Sequence, residues 1–169
     1  MTEYVAFLRG INVGRTKRIK INEIKSMLDR SFVNVRSYGQ SGNFVFDTEM
    51  KKDDIVTLAE SDLEKEFEFN VFCIVKEVNE LRTAVERNPF PGASANELFF
   101  IFMSEEPSQN EDDDWSFGDD RAKRIADVIY LDCKGEYHRT KLTNTFFEKE
   151  FDIICTARNL NTVNAVLRL

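Results

Sequence analysis

A chain of 169 residues with 42% hydrophobic and 31% charged residues has the apolar content of a globular protein, arranged as one domain or two small ones. No stretch approaches the ~20 apolar residues of a membrane-spanning helix. The net charge of -7 argues against broad, sequence-independent binding to nucleic acid, which needs many phosphate contacts.

The charge is unevenly spread. Residues 1–46 carry eight Lys/Arg against three Asp/Glu, residues 47–133 nine against twenty-three, and residues 134–169 six against four. Both ends are basic and the middle is acidic. If the ends meet, they form a local positive site on an acidic body. The opening Met1-Thr2-Glu3-Tyr4 lacks the basic and apolar regions of a secretory leader, so a cytoplasmic location is expected. Cys73, Cys133 and Cys155 are odd in number and sit in apolar stretches, which suits buried thiols.

In chain order, Tyr4–Leu8 reads as a buried strand. A loop with two glycines and a dense basic run follows, Gly10 to Lys20. Ile21, Ile24, Met27 and Leu28 recur at helical spacing, with Asn22 placed to cap. Val33–Tyr38 and Asn43–Phe46 read as strands joined by the turn Gly39-Gln40-Ser41-Gly42. Asp53 or Asp54 opens a helix with Ile55, Leu58, Ala59, Leu63 and Phe67 on one face, and Asn70–Val75 is another strand. The order strand, helix, strand, strand, helix, strand is that of a ferredoxin-like plait.

A linker helix with Val78, Leu81 and Val85 in phase stops at Asn88-Pro89. The second half repeats the order more loosely. Strands are expected at Leu98–Met103, Val128–Cys133, Glu136–Thr140 and Ile153–Ala157, with a turn at Lys134-Gly135. Asp112–Phe117 reads as a short acidic helix or loop, and Leu142–Phe151 as a helix. Asn159 or Asn161 caps a closing helix. The predicted class is α+β, two tandem ferredoxin-like subdomains with mainly antiparallel sheets, residues 1–77 and 78–169.

Both faces of the first sheet look apolar, with Tyr4, Ala6 and Leu8 on one side and Val5 and Phe7 on the other. A plait covers one face with its own helices, so the second half is the expected cover for the other. An RNA-recognition module leaves that face open for stacking bases. Phe44 and Phe46 are expected in the core instead, because the signature's basic and glycine positions are mostly missing.

A plait's strand order, 4-1-3-2, sets the end of the first strand beside the start of the third. Arg9, Asn12 and Gly14 then lie beside Gln40, Ser41, Gly42 and Asn43, and glycine-loop amides with polar donors can cradle an anion. In the second half, Lys141, Thr143 and Asn144 follow one strand, and Arg158, Asn159 and Asn161 follow its parallel partner. Each cluster sits at a predicted helix start, where free N–H groups and the helix dipole favour negative charge. The basic run adds Lys17.

Other chemistry is poorly supported. Neither a P-loop nor a dinucleotide fingerprint is present. Ser41 has no marked base, and His138, the single histidine, reads as a surface or strand-edge residue. Glu111-Asp112-Asp113-Asp114 lacks the glycine and glutamate of a calcium loop. No metal or cofactor is expected.

Arg9-Gly10-Ile11-Asn12-Val13-Gly14, Gln40-Ser41-Gly42-Asn43, Lys141-Leu142-Thr143-Asn144 and Thr156-Ala157-Arg158-Asn159-Leu160-Asn161-Thr162 together resemble the bacterial domain-of-unknown-function family numbered 1697, nearly end to end. Two positions depart from the family's motifs. Arg15 stands where a second glycine is common, adding a cation, and Leu160 stands in place of a tryptophan. The resemblance implies two plait-like subdomains and no established activity. The residues favour a non-enzymatic module that binds a small phosphorylated ligand, a nucleotide or a short nucleic acid through Arg9, Asn12, Gly14, Lys17, Gln40, Ser41, Gly42, Asn43, Lys141, Thr143, Asn144, Arg158 and Asn159. The alternative is a protein-interaction or structural module in which the same residues lock subdomains together. An enzyme is the least supported reading.

Overall fold

A computed structural model describes residues 1–15, 18–108 and 113–169. The chain divides into two compact units, residues 1–82 with 165–169, and residues 83–164. It is an α+β protein with two antiparallel sheets and, among the described residues, five α-helices.

The first unit runs β1 (Thr2–Leu8), α1 (Ile21–Leu28), β2 (Val33–Tyr38), β3 (Asn43–Thr48), α2 (Lys52–Phe67) and β4 (Cys73–Glu77). The strands lie in the order β2-β3-β1-β4, each antiparallel to its neighbours. This is the order expected from the sequence. One sheet face joins the apolar stripes of α1 and α2: Tyr4, Ala6, Leu8, Phe44, Phe46 and Val75 cluster with Ile24, Met27, Ile55 and Leu63. Phe44 and Phe46 are fully buried, and Phe46 stacks on Phe32 at 4.2 Å between centroids. Neither is offered to a base. Val5, Phe7, Val45 and Ile74, on the opposite face, are also buried.

Helix starts differ slightly from expectation. Lys20, not Asn22, holds the cap position of α1, and Lys51, two residues before Asp53, that of α2. Asp53 and Asp54 fall in the first turn of α2, where they face the positive end of the dipole.

After α3 (Val78–Glu86), the second unit carries β5 (Leu98–Met103), β6 (Asp114–Phe117), β7 (Asp120–Ile125), β8 (Val128–Asp132), a 3-10 turn at Tyr137–Arg139, α4 (Asn144–Phe151) and β9 (Cys155–Asn159). α5 (Leu160–Leu167) begins there and runs into the first unit's closing residues. The sheet order is β6-β7-β8-β5-β9.

Three sequence-based assignments are corrected here. Asp114–Phe117 is a strand, not a helix, and Asp112 lies outside the described residues. Asp120–Ile125, read as no element, is a strand. Glu136–Thr140, expected as a strand, contains the 3-10 turn. The hairpin is therefore shifted by one strand. Its turn is Ala126-Asp127, with Ala126 at φ 55°, rather than Lys134-Gly135. The cause is the polarity of β7. Its buried positions are Ala122 and Arg124, and Arg124 is neutralised by a two-pronged pairing with Asp113 at 3.0 and 3.1 Å. A strand that buries an arginine gives no apolar period to read.

Candidate anion-binding cleft

In the first unit the chain leaves β1 where Leu8 N–H donates to Gly42 O and Arg9 N–H to Phe72 O, both at 2.9 Å. Phe7 pairs with Asn43. The loop holding Arg9, Asn12 and Gly14 thus meets the turn holding Gln40, Ser41, Gly42 and Asn43. Gly42, at φ 86°, has no room for a side chain: a Cβ there would sit 2.7 Å from Leu8 Cβ and 2.9 Å from Ile11 Cδ1. Gly14, at φ 62°, is exposed, and its carbonyl accepts a hydrogen bond from Arg18. Lys17 lies outside the described residues.

Two of the predicted ligand-binding asparagines are occupied within the chain. Asn12 Nδ2 donates to Ile19 O at 2.9 Å and Gln40 O at 2.8 Å, while its Oδ1 accepts Ile19 N–H at 2.8 Å. Asn43 is buried, and its Nδ2 donates to Tyr38 O and Ser41 Oγ, both at 2.9 Å. These carboxamides shape the loop and the turn. Arg9 is half-buried, and Gln40 and Ser41 are exposed.

Beside this turn lies a cleft of about 430 Å³, lined by Lys20, Ile21, Asn22, Ser37, Gly39 and Gln40. Pockets that hold small ligands run to about 300–1,000 Å³. α1 opens into it with no side-chain cap, Lys20 being in extended backbone. The first N–H groups of a helix lack the usual i−4 acceptors, and the dipole adds partial positive charge there; in α1 the Glu23 N–H is already taken by Lys20 O at 3.0 Å. Arg15, Arg18 and Lys20 are exposed, and of these Lys20 lines the cleft. Glu23, in the first turn of α1, opposes them. The sequence reading had Gln40 but missed Lys20, Asn22 and Ser37. It gave Asn22 the cap, which would have filled the helix start.

In the second unit, β8 and β9 both flank β5, and Asp132 and Asn159 pair with its first residues, Leu98 and Phe99. The helix starts here are filled by side chains. Thr143 Oγ1 accepts Phe146 N–H at 3.3 Å. Tyr137 Oη accepts Asn144 N–H and donates to Asn144 Oδ1, each at 2.8 Å. Asn159 Oδ1 accepts Thr162 N–H at 2.9 Å and caps α5. Lys141 is exposed, its Nζ 5.9 Å from the Phe146 ring centre.

Arg158 is buried, and its Nη1 donates to Thr156 Oγ1 at 2.8 Å and Ala157 O at 2.9 Å. Burial lowers its pKa to about 10, against an opposing pull from Tyr137. His138 is exposed and 3.1 Å from Glu136. A cleft in this unit, about 440 Å³, has Glu105, Glu106, Glu150 and Asp152 in its lining, a setting that repels anions. Among the described residues no three His, Cys, Asp or Glu side chains are placed to hold a metal, and no helix is long and apolar enough to cross a membrane.

Among the described residues, two antiparallel sheets and five α-helices define a two-unit α+β protein. The model of the family described as protein of unknown function, DUF1697, matches residues 1–130, and the chain belongs to that family. Its fold is similar to that of the conserved bacterial protein SP0830 from Streptococcus pneumoniae, with a TM-score of 0.71 at 19% sequence identity, over 99% of this chain and 97% of the other. No curated protein matches the chain.

Proposed function

We propose that this protein is a non-enzymatic module that binds a small phosphorylated ligand in the first unit's cleft. The observation that carries the reading is the uncapped start of α1, opening beside Lys20 into a space lined by Ser37, Asn22 and Gln40. Backbone N–H groups at such a start suit phosphate oxygens, and the neighbouring cations add attraction. The volume suits a nucleotide or sugar phosphate better than a long nucleic acid. Calorimetric titration with pyrophosphate and a nucleoside diphosphate tests it. Saturable binding is expected, weakened about two- to fivefold by Lys20→Ala. No heat from either compound at millimolar concentration sinks the reading.

The alternative, a structural or protein-interaction role, is favoured for a different set of residues. Asn12, Asn43, Thr143, Asn144 and Asn159 spend their side chains on neighbouring backbone or on side chains near in sequence. For them a loss of stability without ligand is the expected phenotype.

The strand order of the first unit supports reading it as a ferredoxin-like plait. In the second unit, β7-β8-β5-β9 repeats the β2-β3-β1-β4 order, with strand β6 where a plait has its first helix. That pattern supports a tandem origin for the two halves.

A further inference from the structure

The two walls of the cleft are distant in sequence. Lys20 and Ile21 form one, Gly39 and Gln40 the other. The base of the Gly39–Gly42 turn is tied to β1 through Leu8 N–H and Gly42 O. Its tip is tied through Asn12, whose carboxamide reaches Gln40 O at 2.8 Å and both backbone groups of Ile19, the residue before Lys20, at 2.8 and 2.9 Å.

The chemistry selects asparagine. Its short planar group offers two donors and an acceptor together, whereas aspartate loses the donors and serine lacks the second one. Asn12 is also at φ 54°, a left-handed conformation that asparagine accepts more readily than most residues.

We propose that Asn12 is the positioning residue of the cleft: one carboxamide holds the end of the basic loop and the tip of the Gly39–Gly42 turn at a fixed separation, and so sets the width of the opening. The positioning role rests on the anion-binding reading above. The clasp itself is measurable without any ligand.

Two variants of the full chain test it. Asn12→Gly keeps the backbone conformation and removes the carboxamide. Asn12→Asp keeps the shape and turns a carboxylate toward two carbonyls. Amide hydrogen exchange followed by NMR is expected to show Ile19 exchanging about tenfold faster in Asn12→Gly, while the Asn12→Asp carboxylate still accepts the Ile19 N–H and loses only the two donated bonds. The Gln40 and Ser41 signals shift, while Phe7 and Val45 stay protected and report an intact sheet. Calorimetry with pyrophosphate is expected to show about tenfold weaker binding in both variants.

Unchanged Ile19 exchange and unchanged Gln40 and Ser41 signals overturn the clasp. A loosened clasp with parental affinity overturns the positioning role alone and leaves Asn12 a loop clamp. A parent protein that does not bind pyrophosphate overturns the anion reading and the positioning role together.

Discussion

Two glycines of one turn separate backbone conformation from space. Gly39 and Gly42 both have positive φ, 67° and 86°, but a Cβ on Gly39 meets nothing within 4 Å. Gly39→Ala therefore carries only the left-handed backbone cost, about 1–2 kcal/mol. Gly42→Ala adds a clash with Leu8 and Ile11, for a total of about 3 kcal/mol or more. Urea unfolding of the two variants should differ accordingly. Glycines in this turn were legible in the sequence. Their inequality was not, because it depends on what β1 places against the turn.

Tyrosines of the second unit supply a pH-dependent expectation at the same scale. Burial pushes both Tyr130 and Tyr137 up to about 12 from an ordinary 10. Their folded-state pKa is raised, so the stability they contribute is fully present below pH 10 and lost as pH rises toward 12. Ultraviolet titration should show two phenols ionising near pH 12, and urea midpoints falling between those limits. If all phenols ionise near 10 in the native protein, the burial of these two is wrong. The thiol of Cys73 is likewise pushed up by burial, and it should resist alkylation until the chain unfolds.

Among elements, helix caps and strand periods account for what could be read in advance. The closing helix was expected to start at Asn159 or Asn161, and Asn159 is its cap. Asn159→Ala and Thr143→Ala should each cost about 1 kcal/mol with no ligand present, measurable as lowered denaturation midpoints. The first unit was legible because its strands bury apolar residues at regular spacing and its turn carries glycine. β6 and β7 were not, since exposed polar residues and a buried Arg124 paired with the half-buried Asp113 replaced the apolar period. The same physics explains the missed cleft residues. Asn22 looks like a cap in sequence, and only the backbone shows that Lys20 holds that place.

For the whole molecule, charge distribution is the property that function inherits. Residues 1–46 carry a surplus of cations, and an acidic stretch follows. On the anion-binding proposal, a ligand is drawn toward the basic first segment and repelled by the acidic stretch that follows it. The affinity for pyrophosphate should fall as ionic strength rises, since exposed charges are screened beyond about 8–10 Å at physiological salt. Titrations at two salt concentrations check this. Equal affinity at both would remove electrostatics as the source of attraction.

The irregular register of β2 bears on how crowded molecules behave. Val33 pairs with Asp47 and Arg36 with Val45, so β2 holds one residue more than its partner, and Asn34 turns to φ 55° within that stretch. β2 lies at the border of its sheet, with Val33 and Tyr38 exposed. A straight border of that composition would template a neighbouring copy, strand upon strand, toward fibrils. The surplus residue bends this border out of line, so β2 is a poorer template for strand-upon-strand growth in crowded solution than a straight strand of the same composition.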